Sequence, residues 1–271
     1  MTLLAAFAWG PEPDAFHLGP LVVRWYGLFF AAGFLASFWI VRRAFAREGR
    51  PVEDVERLLV TTMIGTVVGA RLVHCFVYEP RSYLANPAEI LRVWHGGLAS
   101  HGGMLGIVAA LWFHARRRAD QPFLWLLDRV SIAAAVAGAF VRLGNFVNSE
   151  IYGTPTDGPF GIVFTRVDGP AGLPRHPAML YEAAAYFGVF ALLALVYGRR
   201  GAATPHGLLV GWFLTLVFSA RVLVEFVKER QEEWGTDLPF TMGQALSVPA
   251  IAVGIWLVVR ALRRGAPQAA T

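Results

Sequence analysis

The sequence predicts an all-α, polytopic integral membrane protein with about seven transmembrane helices. Three observations predict this class: 56% of the 271 residues are hydrophobic and only 16% are charged, and the mean hydropathy is +0.49. Soluble domains contain about 25% charged residues. At about 20 residues per span, the apolar runs that recur from residue 20 onwards account for about seven helices. We therefore expect residues 1–271 to form a single membrane domain.

The predicted spans follow the apolar runs between clusters of arginine, glycine and proline. They are 20–41, 58–78, 98–115, 122–142, 178–198, 207–227 and 243–262. Residues 1–19 lack the basic segment of a cleaved signal peptide, so the first span is expected to direct insertion. The longest loop, residues 143–177, is rich in glycine, proline and asparagine. A loop of this length is usually functional or disordered.

The distribution of basic residues predicts the orientation of the spans. One set of alternate loops contains 13 Lys and Arg residues and the other set contains 6. Because cytoplasmic loops carry the excess of basic residues, we expect an outside N-terminus and a cytoplasmic C-terminus. The loop 143–177 then lies on the outer side. This pattern explains the basic composition without a nucleic-acid partner.

The stretch HGGLASHGG, residues 95–103, carries two histidines six residues apart. At about 100° per residue, His95 and His101 would lie roughly 120° apart around a helix, so we do not expect them to share a metal ion. His95 follows a tryptophan before the predicted span and is interpreted as an interface residue. His101 lies inside the span, where a neutral imidazole serves either as a buried structural group or as a proton acceptor. Its neighbouring glycines are interpreted as room for a lipid head group.

Several charged residues lie inside or at the edge of apolar runs, where each costs about 2.5–3.5 kcal/mol on insertion scales. They are Arg24, Arg71, Asp128, Arg129, Arg142, Arg221 and Glu225. Arg221 and Glu225 have the i, i+4 spacing of a helical ion pair. That one carboxylate cannot also neutralise Arg71 and Arg142. Unmatched guanidinium groups bind phosphate well, and phospholipid head groups are the phosphates available in a membrane.

Polar residues are concentrated in the run GAFVRLGNFVNSEIYG, residues 138–153, where the fourth span enters the outer loop. Arg142 can donate to a phosphate, Asn145 and Asn148 can donate and accept, and Glu150 adds a carboxylate. Gly153 allows close approach of the backbone. The alternative is an ordinary polar helix cap and turn. Tyr26 is either an interfacial aromatic residue or a member of the same site.

The chain resembles the bacterial prolipoprotein diacylglyceryl transferases. The resemblance extends over nearly the whole chain in the family's order. It rests on RWYG (24–27), GAR (69–71), RVWHGGLASHGG (92–103), RLGNFVNSEIYG (142–153), RHPAMLYE (175–182), RVLVEFVKE (221–229) and TMGQALSVP (241–249). Within these motifs, the R-x-GNF-x-N-x-E-x-x-G run is highly specific.

The resemblance implies an enzyme of the bacterial cytoplasmic membrane, with its active site on the outer side. It implies transfer of the diacylglyceryl group of phosphatidylglycerol to the lipobox cysteine of a preprolipoprotein, without a cofactor or metal. The implied catalytic residues are Tyr26, His101, Arg142 and Arg221. The implied phosphatidylglycerol ligands are Arg71, Arg142, Asn145, Asn148, Gly153 and Arg221, supported by Glu150 and Glu225.

Three positions depart from the family pattern. Met179 and Val217 stand where Gln and Tyr are frequent, and His95 stands where an acidic residue is frequent. The first two departures affect contacts with the head group or the peptide and leave the implied reaction unchanged, and the third fits a non-catalytic role for His95. Two other functions fit parts of the sequence: an anion transporter or channel, because of the membrane arginines, and an intramembrane serine protease, because Ser100 adjoins His101. Matched inverted halves would favour a transporter, and adjacent Ser and His point about 100° apart on a helix.

Overall fold

The computed structural model describes residues 7–93, 96–230 and 240–265, without the side chain of Ser100. His95, which the sequence places at the interface, lies outside the described residues. The described α-helices are α1 (Trp25–Arg47), α2 (Glu53–Val73), α3 (Pro80–Ala85), α4 (Ser100–Arg117), α5 (Phe123–Val147), α6 (Thr165–Asp168), α7 (Ala178–Arg200), α8 (Leu208–Glu225) and α9 (Met242–Arg264). The described strands are β1 (Phe7–Trp9), β2 (Asp14–Leu18), β3 (Leu21–Arg24) and β4 (Ile162–Phe164).

The prediction of an all-α, multi-pass membrane protein is confirmed. Within the described residues, six helical segments are long and apolar enough to cross a membrane. They are Trp25–Arg47, Glu53–Tyr78, Phe123–Val147, Ala178–Ala203, Leu208–Glu225 and Met242–Arg264. The remaining predicted span, 98–115, coincides with α4, whose 18 residues extend about 27 Å at 1.5 Å per residue. Histidine and arginine at its two ends make α4 less apolar than the other six segments.

The helix bounds differ by several residues from some of the approximate predicted spans. Helix α5 continues to Val147 instead of ending at residue 142, because apolar residues follow Arg142 with helical spacing. The long loop after α5 therefore begins near residue 148, and it contains β4 and α6. The first helix begins at Trp25. Arg24 lies before it in β3, 3.6 Å from the Asp14 carboxylate, and thus is not a charge within the span.

The chain forms two compact units by its contacts: Met1–Ile40 with Asp128–Thr271, and Val41–Leu127. In the first unit, β1 pairs in parallel with β4, and β2 pairs with β3 in an antiparallel hairpin. The Trp9 indole donates to the carbonyl of Phe146 at 2.9 Å and stacks on its ring. The first strand is thereby attached both to the end of α5 and to the long loop that follows it.

A buried carboxylate fixes the start of α8 in the first unit. Asp128, on α5, accepts hydrogen bonds from the backbone amides of Gly207 and Val210 at 2.7 and 2.9 Å. These amides begin a helix and have no partner within it, so the carboxylate supplies the missing acceptors. Helices α8 and α9 also meet closely, because Gly211 and Gly254 face each other's backbone. Asp128 therefore has a structural role and is not counted among the candidate site residues.

In the second unit, α2 and α4 pack through facing glycines. A Cβ on Gly102 would lie 2.2 Å from the carbonyl oxygen of Gly69, and one on Gly106 would lie 1.8 Å from that of Gly65. Both helices therefore carry a G-x-x-x-G pair at the point of contact, as is common where membrane helices approach closely. The glycines after His101 accommodate a neighbouring helix, so the expectation that they make room for a lipid head group was wrong for Gly102.

The Gly106→Ala variant is expected to lower the free energy of unfolding by about 1–3 kcal/mol, as overpacking generally does. The added methyl group would overlap the carbonyl of Gly65, and the two helices would have to move apart. Thermal unfolding of the detergent-purified protein measures the effect. Gly188→Ala on α7 is the matched control, because a Cβ there meets no atom within 4 Å. Equal midpoints for the two variants would contradict the account of this interface.

Candidate active site

The candidate site of the first unit is centred on Arg142, in the penultimate turn of α5. Its Nε lies 2.5 Å from Oε2 of Glu182 on α7, and the two side chains are only 14% and 1% exposed. Within the described residues, neither Glu182 oxygen accepts an aligned hydrogen bond. The contact is therefore an ion pair held by charge. A buried pair of this kind fixes the guanidinium in place and joins two helices.

A polar network continues from Arg142 to the end of α5. Arg142 Nη1 donates to Asn145 Oδ1 at 3.0 Å, and Asn145 Nδ2 donates to Glu150 Oε2 at 3.0 Å. Asn148 Nδ2 donates to the other oxygen of Glu150 at 3.1 Å. Glu150 thus acts on Arg142 through Asn145 instead of pairing with it directly. The network fixes the amide of Asn145, which is almost fully buried.

The chain leaves α5 in a constrained conformation that brings Glu150 back over the helix end. Ser149 and Ile151 have φ values of 56° and 60°, in the left-handed region that non-glycine residues rarely adopt. The amide of Glu150 donates to the carbonyl of Asn145 at 2.9 Å. The polar cap predicted as the alternative for this run therefore exists. The same turn also positions the carboxylate of the network.

Tyr26 lies beside this network at the start of α1. A Cβ on Gly144 would be 2.9 Å from the Tyr26 ring, so the ring packs against the backbone of α5 between Arg142 and Asn145. Its half-buried hydroxyl group interacts electrostatically with Glu150 and Arg142. The structure thus places the Tyr26 side chain next to the network of Arg142, Asn145 and Glu150, and its role in the reaction stays a prediction.

Arg221 lies on α8 and reaches the same region through Tyr186 of α7. The Tyr186 hydroxyl interacts electrostatically with both Arg142 and Arg221. Among residues 7–93, 96–230 and 240–265, no hydrogen bond or ion pair to the Arg221 side chain is found. The predicted ion pair between Arg221 and Glu225 was therefore wrong. Arg221 offers a half-buried guanidinium group with its donors available.

Glu225 instead connects α8 to the beginning of α9. Its Oε1 accepts a hydrogen bond from the Thr241 hydroxyl at 2.9 Å, and its Oε2 lies 3.6 Å from Lys228 Nζ. Thr241 also caps α9 by a reciprocal pair of hydrogen bonds with Gln244. This arrangement holds Glu225 at the helix junction, where its described partners are Thr241 and Lys228 and not Arg221.

Gly153 lies where three segments of the first unit meet. Its amide donates to the carbonyl of His176 at 2.7 Å, and the next amide, of Thr154, donates to the carbonyl of Val227 at 2.9 Å. A Cβ on Gly153 would lie 2.4 Å from the Val227 oxygen. The glycine is required for this close backbone approach, which joins the long loop after α5 to the segments just before α7 and just after α8.

A charged cluster on the long loop after α5 lies at the same junction. Arg175 donates to Asp168 at 2.5 and 3.2 Å and to Glu229 at 3.2 Å, and its guanidinium lies over the Tyr152 ring. The hydrogen bond to Asp168, with the nearby charge of Glu229, raises the pKa of Arg175 above its usual value. Arg175 thus stabilises the loop through its contacts with Asp168 and Glu229.

Arg71 belongs to the second unit and is almost fully buried. Its guanidinium donates to the carbonyls of Glu89 and Gly96 at 2.5 Å, of Ile90 at 3.0 Å and of Gly97 at 3.1 Å. A face of the group rests on the ring of Tyr83. These contacts hold the segment that leads into α4. The implied role of Arg71 as a phosphate ligand stays a prediction, and its observed contacts are with backbone carbonyls.

His101 is the second residue of α4 and is exposed. It therefore lies at the very start of the helix, not one turn inside a span. The preceding Gly96 and Gly97 both have positive φ, 88° and 73°, and their carbonyls are bound by Arg71. The helix start, and with it His101, is thus anchored by a buried guanidinium of the same unit.

The sequence analysis missed two residues of the candidate site around Arg142 and Arg221, namely Glu182 and Tyr186. They are spaced i, i+4 on α7, which places them on one helix face. A signal for Glu182 was available, because it is an acidic residue inside an otherwise apolar span, but it was overlooked among the membrane charges. Met179 and Val217, which depart from the family pattern, are both buried apolar side chains and add no polar group to the site.

Comparison with known proteins agrees with the motifs. A family model described as prolipoprotein diacylglyceryl transferase matches residues 13–260. Two relatives, from Chloroherpeton thalassium and Tolumonas auensis, are each 48% identical over 94% and 93% of this chain and 94% and 96% of their own. A third, from Porphyromonas gingivalis, is 42% identical over 99% of both chains. All three are named phosphatidylglycerol–prolipoprotein diacylglyceryl transferase. The chain therefore belongs to the prolipoprotein diacylglyceryl transferase family.

Proposed function

We propose that this protein transfers the diacylglyceryl group of phosphatidylglycerol to the lipobox cysteine of a preprolipoprotein. The cysteine sulfur forms a bond to the terminal glycerol carbon of the diacylglyceryl group, and the bond from that carbon to the phosphate oxygen breaks. A thioether forms, glycerol phosphate leaves, and the thiol proton passes to a base. The names of the similar proteins support both substrates, and the predicted orientation puts the reaction at the outer face of the cytoplasmic membrane.

The observation that carries this proposal is the pair of guanidinium groups around Tyr186. Arg142 is fixed by Glu182 and Asn145, whereas Arg221 has no described partner. One arginine is thus preorganised, and the other can pair with an incoming anion. Guanidinium groups bind phosphate through two parallel hydrogen bonds. Such a pair stabilises the negative charge that develops on the leaving phosphate, a contribution usually worth a few kcal/mol.

The thiol must also lose its proton. A cysteine thiol with a pKa near 8.5 is mostly protonated at neutral pH, so a base or a positive field is needed to form the thiolate. We propose His101 as the base. Tyr26, Asn145 and Asn148 would orient the head group, and Glu150 would hold the two asparagines in place. The field of the arginines is the second route to the thiolate.

Family membership favours this reaction over the two other functions considered from the sequence. The family match extends over residues 13–260, so it includes the arginines that suggested an anion transporter and the Ser100–His101 pair that suggested a protease. These same residues fit lipid transfer, and neither of the other functions gains an observation of its own.

The His101→Gln variant is expected to lower the rate of thioether formation by about 10²- to 10⁴-fold, the usual contribution of a general base. Purified protein, phosphatidylglycerol and a lipobox peptide suffice, with the modified peptide measured by mass spectrometry. His17→Gln, in the exposed β2–β3 hairpin, is the matched control and is expected to leave the rate unchanged. A full rate for His101→Gln would exclude His101 as the base and leave the arginine field as the route to the thiolate.

A further inference from the structure

A groove of about 800 Å³ runs between α2 and α4, and all of the residues that line it belong to the second unit. The facing glycines of α2 and α4 form its floor, and exposed apolar side chains such as Val68 and Leu105 form its walls. From Arg57 to Val73 the groove follows α2 for about 24 Å at 1.5 Å per residue. This length is most of the roughly 30 Å thickness of the hydrocarbon core of a bilayer.

One end of the groove is polar and positively charged. Arg57, Arg117 and Arg118 line it together with a single carboxylate, that of Asp54. Asp54 is already bound by Arg118 and by Gln121, the latter at 2.7 Å. This end of the groove thus carries three guanidinium groups and one carboxylate. Glu53 and Glu56 lie in the same first turn of α2 but do not line the groove.

Two of these arginines remain able to bind an anion. Arg57 lies 3.6 Å from Asp54 as an ion pair, but its side chain is 74% exposed. Arg117 is exposed, and within the described residues it makes no hydrogen bond or ion pair. The two arginines lie at one end of an apolar groove. A ligand with a long apolar part and an anionic head could fill the groove and bind these arginines.

We propose that this groove binds an anionic phospholipid, with an acyl chain along the glycine-lined floor and the phosphate held by Arg57 and Arg117. A membrane-facing groove is filled by whatever the bilayer offers, and the positive end selects a negatively charged head group over a zwitterionic one. An apolar helix of a partner would fill the floor but would leave the arginine charge unmatched. The site uses none of the candidate active-site residues, so it stands independently of the proposed reaction.

Native mass spectrometry of the detergent-purified protein tests this proposal by counting bound lipids during titration with phosphatidylglycerol. The double variant Arg57→Gln/Arg117→Gln is expected to bind one lipid fewer than the wild-type protein, with at least about tenfold weaker affinity at that site. The matched control is Arg199→Gln/Arg200→Gln, which removes two exposed arginines from the end of α7 and should leave the count unchanged.

A second variant tests the floor of the groove separately from its charge. Ala109 is an exposed residue that lines the groove, so Ala109→Trp is expected to fill it and remove the same lipid. Unchanged counts in both variants, equal retention of phosphatidylcholine, or the same loss in the Arg199/Arg200 control would overturn the proposal. A protein dimer that disappears in Ala109→Trp would also overturn it, because a second copy would then occupy the groove.

Discussion

Replacing Arg221 with alanine is expected to lower the rate of diacylglyceryl transfer by about 10²- to 10³-fold, as loss of a charge-stabilising donor does in other active sites. Folding should be little affected, because no described residue forms an ion pair or hydrogen bond with the Arg221 side chain. Arg221→Lys retains the charge without the planar guanidinium group. Its transfer rate is expected to lie between those of the wild-type protein and Arg221→Ala. Initial rates with purified protein, phosphatidylglycerol and a lipobox peptide measure the effect.

A surface arginine gives the control for this experiment. Arg264 lies in the last turn of α9 and is exposed, so Arg264→Ala should transfer at the wild-type rate. Thermal unfolding of each variant separates loss of function from loss of structure. A wild-type rate for Arg221→Ala would show that this guanidinium does not contact the phosphate during transfer. A large fall in its unfolding temperature would show that it has a structural partner.

The Arg142→Ala variant is expected to lose both activity and stability. The rate should again fall by about 10²- to 10³-fold. The free energy of unfolding should fall by about 3–5 kcal/mol, because the buried carboxylate of Glu182 loses its counter-ion. The two effects have different causes. The rate falls because a phosphate ligand is lost, and the stability falls because the ion pair between α5 and α7 is lost. Unfolding curves and transfer rates on the same preparations measure them.

The double variant Arg142→Ala/Glu182→Gln separates these two effects. Without the carboxylate there is no buried negative charge left unpaired, so most of the lost stability should return. Activity should remain low, because the phosphate ligand is still missing. Recovery of activity together with stability would contradict the proposed role of Arg142, since a purely structural role would then account for both losses.

Local sequence patterns predicted most helices and the cluster of polar residues at the end of α5. The apolar run after Pro177 predicted a span at 178–198, and α7 covers Ala178–Arg200. The polar residues between Arg142 and Glu150 were expected to act together, and they form one hydrogen-bonded network. Both successes depend on residues that are close in sequence, where helix spacing alone decides which side chains are neighbours.

The partners of the charged residues could not be predicted in the same way. Spacing suggested that Arg221 pairs with Glu225, but the Glu225 carboxylate binds Thr241 and Lys228. Arg142 pairs with Glu182, which lies 40 residues away in the sequence. Pairing of this kind depends on which helices pack together, and one sequence does not contain that information.

The glycine-rich segment before α4 shows the same limit. Its glycines suggested space for a lipid, yet Gly102 faces the backbone of α2, and a Cβ on Gly97 would lie 2.5 Å from the imidazole of His74. The carbonyls of Gly96 and Gly97 bind Arg71. Whether a glycine serves a ligand or a neighbouring chain is decided by tertiary contacts, which the sequence pattern did not include.

Transfer of the diacylglyceryl group can be measured directly with phosphatidylglycerol that carries a label in its glycerol head group. Purified protein is incubated with this lipid and a lipobox peptide, and both products are followed by mass spectrometry. The expected result is a peptide whose mass increases by one diacylglyceryl group on the cysteine sulfur, with an equal amount of labelled glycerol phosphate released. Release of labelled glycerol without phosphate, or lipid turnover without a thioether, would contradict the proposed reaction.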